Sequence, residues 1–269
     1  MQSKSQDQHY LRDEQYKTSN NLMARIQLHA RFSTNPYRWT NWLFDQFEIP
    51  ADARILEVGA GPGGLWTANR DRIPQGWQVT LSDFSPGMVA EEQQNLRDVP
   101  GQFTFEVMDA QSIPYEGDTF DAVIANHMLY HVPDISRALH EIRRVLKPDG
   151  KLYAATNGAN HMHELRDLAA SYGKSISEQV SGLAFTLENG MDWLTLVFPN
   201  VTLRLHEDEL VVTEAQPLVD YILSGWRYRD NQEASAERLT AFVERLLRDH
   251  GAIHISKNAG VFIAKKESE

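Results

Sequence analysis

The chain contains no cysteine, which removes disulfides, thiolate metal sites and any cysteine nucleophile from its chemistry. Long apolar runs are missing too. Nowhere do about 18 apolar residues follow one another, and Met1 to Asp13 is polar where a secretion signal needs an apolar stretch, so a soluble, cytoplasmic protein is expected. Basic charge is scarce: 26 Lys and Arg against 37 Asp and Glu leave a formal charge of −11. Such a balance repels phosphate backbones and anionic membranes, so neither nucleic acid nor a membrane surface is an expected partner. Internal repeats, charge blocks and low-complexity tracts are absent. What remains is 269 residues of ordinary globular composition, enough for one large domain or a domain with a substantial insertion.

The stretch that organises the rest is Arg54-Ile55-Leu56-Glu57-Val58-Gly59-Ala60-Gly61-Pro62-Gly63-Gly64. Ile55 to Val58 reads as a buried strand, and the glycines after it as a turn where a ligand passes close to the backbone, because glycine takes φ > 0 and carries no Cβ. Leu65 to Asn69 is apolar enough to begin a helix whose N-terminus offers free N–H groups to an anion. Gly59, Gly61 and Gly64 also satisfy the G-x-G-x-x-G spacing of dinucleotide dehydrogenases, with Asp83 lying 24 positions after Gly59. The loop by itself does not choose between these cofactors.

The next hundred residues do. The runs E-V-G-A-G-P-G, L-S-D-F-S-P-G-M, M-D-A-Q-S-I-P-Y, F-D-A-V-I-A-N-H-M-L-Y-H-V-P-D and R-V-L-K-P-D-G-K-L occur in this order between residues 54 and 156. In these five motifs the chain resembles the class I S-adenosylmethionine-dependent methyltransferases. The resemblance implies a Rossmann-like α/β fold: a doubly wound, mostly parallel sheet with a C-terminal antiparallel hairpin, preceded by N-terminal helices and interrupted by an inserted cap. Strands are expected at Ile55–Val58, Gln78–Ser82, Phe103–Met108, Ala122–Ala125 and Lys151–Thr156, each followed by a helical stretch, with ligands outside their carboxyl ends. The expected division is a helical arm over 1–50, a cofactor core over 51–157, a cap over 158–250 and a closing hairpin over 251–269.

By the same resemblance, S-adenosylmethionine lies over Gly59, Ala60, Gly61 and Gly63. Asp83 accepts from the ribose hydroxyls, Phe84 and Met88 pack on the adenine, Asp109 and Ala110 meet its polar edge, and the Asn126 carbonyl meets the ammonium group. In the arm, Arg31 is a candidate clamp for the cofactor carboxylate or a surface arginine, and Tyr16 a lid near the sulfonium or a packing residue. Glu57 either orients the glycine loop, reaches the cofactor amine, or is a buried support. The aromatic cluster Phe32, Tyr37, Trp39, Trp42 and Phe44 reads as core.

Methyl transfer needs an in-line acceptor and often a base, and a histidine titrating near neutrality suits the second task. His127 and then His131 are the candidate catalytic residues, placed with Tyr130 on one face of an expected helix by i, i+3, i+4 spacing. A pocket-wall role is the alternative for each. Beyond Thr156, His161, His163, Trp193, Trp226 and Tyr228 are candidate acceptor contacts. Val201–Leu205 and Leu210–Val212 read as a hairpin across His206-Glu207-Asp208-Glu209, and Ala252–Ser256 and Val261–Ala264 as another across Lys257-Asn258-Ala259-Gly260.

The expected activity is transfer of a methyl group to an oxygen or nitrogen, with carbon less favoured, of a neutral or cationic small molecule. It needs no metal, and the protein is expected to be a monomer or homodimer. An NAD(P)-dependent oxidoreductase and a non-catalytic S-adenosylmethionine-binding regulator are the two alternatives. In the first, Asp109 and the Asn126-His127 block have no work to do.

Overall fold

The computed structural model describes residues 6–17, 20–172, 184–224 and 232–268. Its order begins with a short helix α1 (Gln8–Tyr10) widening into a π-helical turn (Leu11–Gln15), then α2 (Asn20–Phe32) and α3 (Trp39–Asp45). The core follows: β1 (Arg54–Val58), α4 (Gly64–Ala68), β2 (Gln78–Asp83), α5 (Pro86–Leu96), β3 (Gln102–Val107), β4 (Phe120–Asn126), α6 (Ile135–Val145) and β5 (Leu146–Asn157). After it come α7 (His163–Tyr172), α8 (Gly190–Thr195), β6 (Asn200–Val212), α9 (Ala215–Leu223), α10 (Gln232–His250) and β7 (Ile253–Lys265).

The seven strands form one sheet in the order β3-β2-β1-β4-β5-β7-β6, parallel from β3 to β5, with β7 antiparallel to both of its neighbours. Chain order reverses direction between β1 and β4, and that switch leaves a crevice outside their carboxyl ends. Buried apolar runs explain the central strands: Ile55, Leu56 and Val58 in β1 and Ala122 to Ala125 in β4 are almost wholly covered on both faces. Helix α6 shows the complementary logic, since Ile135, Ala138, Leu139, Ile142 and Val145 recur at helical spacing and all face inward. Its start is fixed by Asp134, which accepts from Arg137 N at 2.9 Å.

Two expectations about the second half need correction. The two short hairpins are not there; each polar "turn" lies inside a 13-residue strand, β6 or β7, and the pair forms one long antiparallel ladder with α9 and α10 between its strands in the chain. Both polar stretches were misread for one reason: they are cross-strand partners, with Glu207 opposite Asn258 and Asp208 opposite Lys257. The Lys257 ammonium pairs with the Asp208 carboxylate, which also accepts from Ser33 Oγ and Asn35 N, so charges that look like loop residues are satisfied inside the ladder. Consequently the segment expected as a cap contributes β6 to the sheet itself.

Candidate active site

A cavity of about 1160 Å³ opens at the crevice, bounded by the glycine loop, α2, the ends of β2 and β4, and the polar middle of the β6–β7 ladder. At one end the loop sets the geometry. Gly59, Gly61 and Gly63 have φ of 67°, 60° and 77°, and a Cβ on Gly59 would lie 2.7 Å from Cβ of Met128. Three of its amides are engaged: Ala60 N donates to Ser82 O, Gly63 N to Ala60 O, and Gly61 N to Asp83 Oδ2 at 3.1 Å. Helix α4 is only five residues long. The loop therefore brings its backbone close to the cavity while three of its own amides hold its shape.

Asp83 and Asp109 face this same cavity. Ser85 N donates to Asp83 Oδ1 at 2.8 Å, so two backbone amides hold the carboxylate in place. Burial raises the Asp83 carboxyl above the usual range, opposed by the N–H groups of Ser85, Gly61 and Phe84. Asp109 Oδ1 accepts from Gln111 N at 2.9 Å, closing the expected turn, while Oδ2 accepts from Gln8 Nε2 of the arm at 3.0 Å. Ala60, Phe84, Met88, Ala110 and Asn126 also line the cavity. Ser85 caps α5 as expected, and its hydroxyl donates to Tyr16 O at 2.8 Å, tying the arm across the site.

The histidine-bearing turn departs from expectation in conformation. His127 sits at φ 56°, and only Leu129–His131 are helical, as a single 3-10 turn, so no helix face gathers His127, Tyr130 and His131. They nevertheless all line the cavity. His127 is packed 4.9 Å from the Trp39 ring with no hydrogen-bond partner for Nδ1, and burial holds it down at about 3 rather than near neutrality. It is a neutral imidazole. His131 instead meets Tyr16: its Nε2 lies 3.0 Å from the tyrosine hydroxyl.

The structure places Arg31 and Trp193 away from the cavity, Arg31 in the surface position that was its alternative. The Arg31 guanidinium pairs with Glu214 on an exposed surface, outside the cavity lining, and Trp193 donates from Nε1 to Ala184 O while packing on the main core. A terminal arginine of an amphipathic helix is as often a surface ion-pair partner, and a lone tryptophan gives no directional signal. His161 does reach the cavity, its Nδ1 3.0 Å from Asn258 N, and burial holds it at about 4. His163 stands beside Glu164 and not in the lining, and Trp226 and Tyr228 lie outside the described residues. Glu57 is the buried support: its Oε2 accepts from Trp66 Nε1 at 2.5 Å behind the loop.

Sequence reasoning missed Arg25, His29, Tyr221, Asp208 and Lys257, which build the far wall. His29 is likewise held near 3 by burial, with Nδ1 unpartnered. A polar quartet inside an alternating apolar run was the available signal for Asp208 and Lys257; for Arg25 and His29, one turn apart on α2, helical spacing alone places them together.

Residues 56–154 match the methyltransferase domain family. Over that stretch, from β1 into β5, the chain is similar to methyltransferase domains. It is 34% identical over 127 residues to a malonyl-[acyl-carrier protein] O-methyltransferase of Magnetococcus marinus, covering 47% of this chain and 46% of that protein. It is 22% identical over 173 residues to a ubiquinone/menaquinone biosynthesis C-methyltransferase of Proteus mirabilis, covering 64% and 67%. In fold it is similar to phosphoethanolamine N-methyltransferase 2 of Haemonchus contortus, solved with S-adenosylhomocysteine, at a TM-score of 0.60, 18% identity and coverage of 98% and 60%. The chain spans less than half the length of the first curated relatives it matches. The family's cofactor is S-adenosylmethionine, and the residues present fit its adenosyl group: a Gly59 that tolerates no Cβ and two carboxylates converging on one cavity suit the hydroxyls and amino group of an adenosine better than the pyrophosphate of a dinucleotide.

Proposed function

We propose that this chain transfers a methyl group from S-adenosylmethionine to an oxygen or nitrogen of a small molecule. The observation that carries the proposal is the convergence of the glycine loop, Asp83, Asp109 and Asn126 on one cavity at the β1/β4 switch. When bound, the cofactor supplies an electrophilic methyl carbon on a sulfonium centre. Gly59, Ala60, Gly61 and Gly63 would lie against it, Asp83 would accept from its ribose, and Asp109 and Ala110 would recognise the base. The core over 51–157 thus holds the cofactor, while the arm over 1–50 and parts of 158–250 enclose the acceptor. Tyr16, whose backbone is tied to Ser85, closes that enclosure and excludes water.

For proton handling the geometry favours His131 over His127, reversing the order expected from sequence. His131 and the Tyr16 hydroxyl form a hydrogen-bonded pair at the cavity wall, able to take a proton from an acceptor hydroxyl or amine. His127, neutral and unpartnered at Nδ1, instead offers a hydrogen bond that positions the acceptor. The test is incubation with labelled S-adenosylmethionine and a small-molecule extract. Label should move into a low-mass product, and His131→Ala should slow transfer by roughly 10²-fold or more, the usual contribution of a general base, without weakening S-adenosylhomocysteine binding. Cofactor binding with no transfer to any acceptor would favour the regulator reading.

A further inference from the structure

Among the described residues, two cations that line the cavity are answered by no carboxylate, Arg25 and Arg38, and only Arg25 is half-buried; Arg38 is exposed and donates from Nη1 to His29 O at 3.3 Å. Lys257 is paired with Asp208, Arg31 with Glu214 and Arg12 with Asp13. Among the described residues Arg25 has only neutral partners. Its Nε donates to Ser224 Oγ at 3.3 Å, and its charge is surrounded by the hydroxyls of Tyr16, Tyr130 and Tyr221. A guanidinium has five N–H donors in a fixed fork, so most of them remain for whatever enters the cavity. A half-buried cation without an anion is costly unless a ligand brings the anion.

Its position says which ligand. Ser224 and Tyr221 belong to α9 and its C-cap, part of the second half of the chain, and Tyr221 packs at a ring distance of 6.0 Å on His29. Asp83 and Asp109, which define the cofactor end, are carried by the core strands instead. We propose, building on the methyltransferase reading, that Arg25 with Tyr130 and Tyr221 seats the oxyanion of an acidic methyl acceptor, a small organic carboxylate or phosphate monoester. This differs from the neutral or cationic acceptor that the net charge of −11 suggests. Net charge describes the outer field, whereas one cation in a cavity wall decides what is held there.

The test uses the full chain saturated with S-adenosylhomocysteine and follows its melting temperature as acetate or inorganic phosphate is added, with chloride at matched ionic strength as control. The wild type should show a saturable rise with both oxyanions. Arg25→Met should shift the midpoint to roughly tenfold higher concentration or abolish it, as loss of a charge-assisted hydrogen bond predicts. Arg25→Lys should retain part of the response, and both variants should bind S-adenosylhomocysteine within about threefold of wild type by calorimetry, which also shows that they fold. A wild type without a saturable response, or an Arg25→Met variant that responds like it, overturns the proposal. So does an Arg25→Met variant whose main loss is in S-adenosylhomocysteine affinity, since the cofactor carboxylate would then be the anion. Failure of the wild type to bind S-adenosylhomocysteine at all would instead strike the methyltransferase reading.

Discussion

Replacing Asp83 with alanine tests the cofactor site at the residue on which most of it depends. In the free protein the carboxylate is already held by Gly61 N and Ser85 N and already raised by burial, so it has been desolvated and oriented before any ligand arrives. Two ribose hydroxyls donating to it form two charge-assisted bonds, each contributing about 1.5–3 kcal/mol. Their joint loss, about 3–6 kcal/mol, corresponds to roughly 10²- to 10⁴-fold in affinity. Alanine also strands the Gly61 and Ser85 amides, which loosens the loop and moves the expectation toward the upper half of that range. Asp83→Asn keeps the shape and one acceptor oxygen, so its loss should be smaller. The assay is calorimetric titration with S-adenosylhomocysteine at neutral pH, with near-native circular dichroism required of both variants. A folded Asp83→Ala protein that binds within about threefold of wild type would remove Asp83 from the site, and with it the reading of the crevice.

Three further outcomes are expected. Gly87→Ala places a Cβ against the Lys17 carbonyl, so the arm should lift and its protection in amide exchange should fall while the core melts normally; unchanged protection would show that the arm does not rest there. Glu92 has no hydrogen-bond partner for either carboxyl oxygen, and burial holds it up at about 9 from an ordinary 4.5. The folded state therefore keeps a proton that the unfolded chain releases, stability falls as pH rises from about 4.5 toward 9, and Glu92→Gln should raise the melting temperature more at pH 8.5 than at pH 5; equal gains at both would refute it. His29, His127 and His161 have the opposite sign, held near 3, 3 and 4 against 6.5 in the unfolded chain, so stability should fall as pH drops below about 6.5, and His29→Gln should flatten that acid limb in a melting series.

The core was legible because its signals are local. A strand, a glycine turn and an acid at the next strand end follow one another within 30 residues, and β1 to β5 fall within a residue or two of the expected bounds, except where β5 starts five residues early at Leu146. Asp83 and Asp109 then had to share the crevice, because parallel strands present their carboxyl ends on one side. The acceptor end is different in kind. Arg25, His29 and Tyr221 become neighbours only because α2 packs on α9, nearly 200 residues later, and nothing in either helix alone announces the other. Asp208 and Lys257 meet through strand register, where pairing of one ladder position converts two apparent loops into a buried ion pair. Arg31 illustrates the same limit from the other side. Its chemistry suits a carboxylate clamp as well as that of Arg25 does, and the two lie six positions apart on one helix; the helical turn carries Arg25 toward the cavity and Arg31 toward Glu214. Which arginine faces the cavity is therefore decided by where α9 docks, so on the acceptor site proposed for Arg25 the choice of acceptor would rest on the contact between α2 and α9 rather than on the glycine-loop motifs.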